Sequence, residues 1–152
     1  MAIFPRCART LVANPVWRRS AILADTSVWI EMFAGRVQAR PDDFQSMATC
    51  SPVTQEVLQG LRPGREGQLI RWRVLCLPRP ADPLTVELFL EAADLSAASG
   101  RRGITILSSI DCLIASIAIW HETPAWHLEC YFDRLAAFTL LETRNPAGAS
   151  FG

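Results

Sequence analysis

Between residues 21 and 142, short apolar runs of strand length alternate with longer stretches patterned as helices, and that alternation leaves few architectures open. Residues 21–24 (AILA) read as a fully buried strand, followed from Thr26 by a helix through VWIEMFAG that ends at Gly35, a natural C-terminal cap. Residues 41–47 read as a short helix. Ser51-Pro52 opens the helix VTQEVLQGL with a capping hydroxyl and a first-turn proline. A further helix is expected over 64–72, a strand over 74–77 (VLCL), and a long helix after Asp82-Pro83 that stops at Gly100. A strand at 104–107 (ITIL) then precedes a helix at 111–120 (DCLIASIAIW) that is apolar almost all round and so belongs in a core. A strand at 125–128 (AWHL), a helix at 132–138 and a strand at 139–142 (TLLE) complete the series.

Parallel strands need crossover connections, which are commonly helical, so the alternation predicts an α/β fold. The expected form is a three-layer α/β/α sandwich around a central, mainly parallel sheet. A chain of 152 residues, half of them hydrophobic, suits one such domain, placed at 21–143. Residues 1–20 hold four arginines and no acid and are expected to be a disordered extension or a misassigned start; residues 144–152 are expected to be a flexible tail. No apolar run approaches the ~20 residues of a membrane crossing. The five cysteines have neither disulfide nor zinc spacing, which points to a reducing cytoplasm.

In sheets of this kind ligands bind beyond the carboxyl ends of the strands, and acids stand there. Asp25 ends the first strand, although it could equally cap the following helix. Glu56 borders the apolar stripe of its helix, where a solvated side chain is the plainer reading. Asp111 begins the most apolar helix, and Ser108-Ser-Ile-Asp111 also has capping-box spacing. Glu129 ends the strand at 125–128, while Asp133 reads as a first-turn acid. Carboxylates that cluster repel one another unless a cation intervenes, and an oxygen-only donor set selects Mg2+ or Mn2+. His121 and His127 read as packed or surface residues rather than general bases.

These residues lie in segments through which the chain resembles the PIN-domain ribonucleases, and among them the VapC toxins of toxin-antitoxin pairs. The resemblance is carried by LADTSVWIE at 23–31, VTQEVLQGLR at 53–62, GITILSSIDCLIASIAIWHE at 103–122 and the weaker HLECYFDRLA at 127–136. It implies that Asp25, Glu56 and Asp111 hold Mg2+ or Mn2+, that Thr26 or Ser27 supports them, and that RNA phosphodiesters are hydrolysed. It also implies a VapB-type antitoxin and a toxin homodimer as partners. The last segment departs from the family pattern: Glu129 and Tyr131 stand where aspartates are usual, so Glu129 becomes a longer fourth ligand and one carboxylate is lost. The alternative is therefore a weakened or inactive PIN fold that binds antitoxin or RNA without cutting. RNA approaching an acidic cleft needs cations to meet its backbone, and Arg62, Arg65, Arg101 and Arg102 are the candidates, with Arg71 and Arg73 nearby. Trp29 and Trp72 read as core or interface residues.

Overall fold

A computed structural model describes residues 21–106, 108–144 and the backbone of 150–151. The expected basic extension at 1–20 lies outside the described residues.

Strand β1 (Ile22–Ala24) is buried at every position and forms the middle of a three-stranded parallel sheet. On one side it pairs with β3 (Met47–Ala48), Ile22 opposite Met47. On the other it pairs with β4 (Ala125–Trp126), Leu23 opposite Ala125. Because both neighbours are sequence-distant, all connections run through helices: α1 (Thr26–Phe33), α2 (Pro41–Ser46), α3 (Ser51–Gln59), α4 (Arg65–Cys76), α5 (Val86–Arg101), α6 (Ser109–Trp120) and α7 (Cys130–Ala136). A parallel sheet wrapped by helices is the α/β sandwich that the alternation predicts. In α6, seven consecutive residues, Cys112 to Ala118, are buried, so this helix is enclosed on all sides as its composition requires. Trp126, Phe132, Leu23 and Ile114 are among the largest fully buried side chains of the core.

Several expected strands are absent or shorter. Residues 74–76 of the VLCL run are the last turn of α4, with Val74 fully buried and Leu77 as the cap. A four-residue apolar run has no periodicity of its own, and here the preceding helix simply continues through Cys76. Residues 104–106 carry no regular structure, and Leu107 lies outside the described residues. Gly103, at φ 68°, turns the chain out of α5 so that the Ile104 amide closes back on the Ser99 carbonyl instead of pairing with a strand. The 125–128 strand is only two residues long, and the expected strand at 139–142 reduces to a single parallel bridge between Ala125 and Thr143. The expected tail also contributes to the fold. Ser150–Phe151 form β5, antiparallel to β2 (Val37–Gln38), a pair for which the sequence offers no alternating pattern.

No helix among the described residues is long and apolar enough to cross a membrane. Gly67 sits in α4 where a Cβ would stand 2.2 Å from the Arg62 carbonyl oxygen. The absence of a side chain there lets the first turn of α4 lie against the loop that presents Arg62.

Candidate active site

Asp25 follows β1, Glu56 lies in the second turn of α3, Asp111 in the first turn of α6, and Glu129 is the N-cap of α7. Asp25 follows β1 directly and is 3% exposed. One of its oxygens, Oδ2, accepts from the Ser27 amide at 3.1 Å and the Ser27 hydroxyl at 2.7 Å, which caps α1. Its other oxygen, Oδ1, is buried with no hydrogen-bond partner. The capping reading of Asp25 therefore holds on one oxygen, and the other is left without a partner. A buried carboxylate oxygen left unpaired is costly, and its position calls for a positive partner.

The two residues expected to support the site act in different directions. Thr26 donates its hydroxyl to Glu56 Oε2, tying α1 to α3 and fixing the glutamate. Ser27, besides its bonds to Asp25, accepts from the Leu128 amide at 3.3 Å and so draws in the segment that leads to Glu129.

Asp111 occupies the first turn of α6, whose N-cap Ser108 accepts from the Ile110 amide at 3.2 Å. Burial pushes the Asp111 carboxyl up to about 6, and the nearby charges of Asp25 and Glu56 push the same way, against hydrogen bonds from the Tyr131 hydroxyl and the Ser108 backbone. Asp25, Glu56 and Asp111 are thus within electrostatic reach of one another. Tyr131, 6% exposed, stands among Asp25, Asp111 and Glu129, and burial followed by those charges holds its hydroxyl protonated. Glu129 itself is exposed at the N-terminus of α7 and makes no capping bond. Among the described residues, no three His, Cys, Asp or Glu side chains are gathered closely enough to hold a metal ion as they stand. The donor chemistry nonetheless suits a hard divalent cation: oxygen donors only, mutual repulsion between carboxylates, and one buried oxygen without a partner.

Cys50 is a neighbour that sequence reading did not single out. It precedes α3 and is 1% exposed; burial above all, then the charges of Asp25, Asp82 and Glu56, push its thiol up to about 12. It stays neutral and is no thiolate ligand. Its signal in the sequence was its place between a short strand and the Ser51-Pro52 helix start, matching that of Asp25. His127 is a packed residue, with Nε2 3.3 Å from Asp133 and its ring stacked on Phe132 at 4.9 Å. Trp29 is in the core, whereas Trp72 is exposed.

The arginines separate. Arg62 lines a cavity of about 690 Å3 between α1, α3 and α4 that Glu56 also lines. Arg65 is exposed at the start of α4 and Arg101 at the end of α5. Arg102 lines a different cavity, with its guanidinium 4.3 Å from the Phe138 ring centre, and joins none of the four acids there.

Residues 22–137 match the model of the PIN domain. The chain belongs to the PIN-domain family. Within it, this PIN domain is 32% identical over 132 residues to VapC ribonuclease Mb1587 of Mycobacterium bovis, a match spanning 82% of the chain and 98% of the relative. Ribonuclease VapC11 of Mycobacterium tuberculosis matches to the same extent. These relatives place the chain in the VapC branch of the family. The fold is also that of a chain in the crystal structure of VapBC2 from Rickettsia felis bound to a DNA fragment from their promoter, with TM-score 0.57 and 14% identity over 82% of this chain and 99% of that one.

Ionisation of Asp111 has a consequence for stability. Its folded pKa is raised, so its contribution is fully present below the ordinary value of 3.8 and is lost as pH rises through about 6. Above that, the charged carboxylate is a standing cost in metal-free protein. In EDTA, Asp111→Asn should therefore raise Tm by about 3 °C at pH 8, roughly 1 kcal/mol after solvent screening of a half-buried group, and leave it unchanged at pH 4. Scanning calorimetry at the two pH values checks the difference.

Proposed function

We propose that this PIN domain is a metal-dependent endoribonuclease, the toxin of a toxin-antitoxin pair, that hydrolyses RNA phosphodiester bonds. The observation that carries the reading is the unpartnered buried oxygen of Asp25, set within electrostatic reach of Glu56 and Asp111 in a VapC-type fold. Asp25, Glu56 and Asp111 would hold Mg2+ or Mn2+, with Glu129 approaching from the exposed edge. When bound, the ion supplies an activated water and neutralises charge on the phosphoryl oxygens. The protein's own residues do the positioning. Thr26 orients Glu56, Ser27 fixes one Asp25 oxygen and leaves the other free, and Tyr131 donates to Asp111.

The cavity between α1, α3 and α4 has exposed Ile30 and Phe33 on its wall and Glu56 and Arg62 within it. An apolar segment of a VapB-type antitoxin fits there and would block the acids from one side. The outer face of α5, with Val86, Phe89 and Leu90 exposed, is where we place the homodimer contact.

A second reading rests on Tyr131. A buried phenol among the acids, with no three carboxylates among the described residues close enough to hold a metal as they stand, favours a PIN fold that binds RNA or antitoxin and cuts poorly. The two readings part in one assay. Purified protein is offered single-stranded RNA and single-stranded DNA with Mn2+, with Mg2+ and with EDTA. RNA fragments that need the ion support the nuclease. Equal signal with EDTA, or none in any arm, eliminates it.

A further inference from the structure

A second cavity, of about 420 Å3, opens on the other side of Ile30 from the groove that contains Arg62. Its wall includes Ser27 and Glu129, both of the candidate site, and the paired Glu31 and Arg36. Arg36 follows Gly35, whose φ of 71° ends α1 and sends the chain back along it. The Arg36 amide donates to the Glu31 carbonyl at 2.9 Å, and its guanidinium makes a two-point pair with the Glu31 carboxylate, Nε to Oε2 and Nη2 to Oε1 at 2.7 Å. The side chain is thus anchored twice to one turn of helix.

That pairing uses one edge of the guanidinium. An arginine has five N–H groups in a planar fork, and two are engaged here, so the edge bearing Nη1 still presents donors in the geometry that suits a phosphate. The pair with Glu31 lowers the entropy lost on binding because the fork is already oriented. Ile30, 55% exposed, and Leu128 give the cavity an apolar floor for a sugar or base. Glu31 and Glu129 line the same cavity and offset the charge of Arg36, so what Arg36 brings to a phosphate is the directional bonding of its free N–H edge.

We propose that Arg36 and the cavity it shares with Ser27 and Glu129 form a subsite for the phosphate of a nucleotide flanking the scissile bond of single-stranded RNA. This rests on the nuclease reading above. The strand would then run past Ile30 with Arg62 on one side of the acids and Arg36 on the other.

The test measures binding of a fluorescein-labelled single-stranded RNA by anisotropy in EDTA, across a salt series, for wild type and Arg36→Ala, with Arg36→Lys as the conservative variant. Arg36→Ala is expected to weaken binding about five- to tenfold near 0.1 M salt. It is also expected to flatten the slope of log K against log salt by about 0.7, the loss of one phosphate contact on a single strand. Arg36→Lys should restore the slope but only part of the affinity, since it keeps the charge and loses the fork. An unchanged slope in Arg36→Ala, with wild type binding and cutting RNA, overturns the subsite and leaves the nuclease standing. Wild type that neither binds nor cuts RNA overturns both.

Discussion

Asp25→Asn is expected to lower Mn2+-dependent RNA cleavage by about 10^3-fold, with Tm level or higher. The argument follows from the division of labour between the two oxygens of Asp25. Oδ2 caps α1 through Ser27, and asparagine caps a helix about as well as aspartate, so α1 should not fray. Oδ1 is buried and unpaired, and it is the oxygen that a cation would claim. Asparagine has only one oxygen: while it caps α1, an uncharged NH2 donor stands where Oδ1 was, so a ligand atom and its negative charge are lost together, and with them the electrostatic stabilisation of the ion and of the phosphoryl charge. Removing a buried charge that neighbours Asp111 and Glu56 relieves repulsion in the metal-free protein, which is why stability does not fall. A variant that lost activity and Tm in parallel would place Asp25 in the fold alone. Initial cleavage rates and a thermal melt on the same preparations separate the two.

Phe132→Ala is expected to have the largest effect on stability, a loss of about 3–5 kcal/mol. Against a total of roughly 5–15 kcal/mol for a domain, that is a severe fraction. Phe132 is fully buried in α7 and touches two residues of the site region: its ring stacks on His127 at 4.9 Å and lies 4.9 Å from Tyr131. Deleting the ring opens a cavity beneath the helix that begins just after Glu129 and removes the support of the phenol that bonds to Asp111. Denaturant unfolding measures the loss, and a midpoint unchanged from wild type would show that the core does not depend on this contact.

How much of this was legible in the residues depended on how each signal arises. Asp25, Glu56 and Asp111 stand out in the sequence because each follows a strand or borders an apolar helix, and the fold brings the charges of Asp25 and Glu56 within reach of Asp111. The α6 helix was readable from its nearly unbroken apolarity. The extra strands were not: β2 and β3 are two residues each, too short to show alternation, and their pairing is decided by partners far along the chain. The VLCL run misled because four apolar residues fit the last turn of a helix as well as a strand. Arg36 escaped attention because its place depends on a turn at Gly35 and on a cavity formed with the segment at 128–129, and neither has a local pattern. Arg102 shows the converse: it is close in sequence to Asp111, yet its guanidinium lies over Phe138 in a cavity that none of the four acids lines.

The central claim is that Asp25, Glu56 and Asp111 serve one hard divalent cation. Calorimetric titration of Mn2+ into wild type, Asp25→Asn and Asp111→Asn addresses it without relying on RNA or turnover. The account predicts measurable uptake by wild type and affinity at least about tenfold lower in each variant, the scale on which loss of a supporting ligand acts. Equal uptake by all three proteins, or none by wild type, would contradict it.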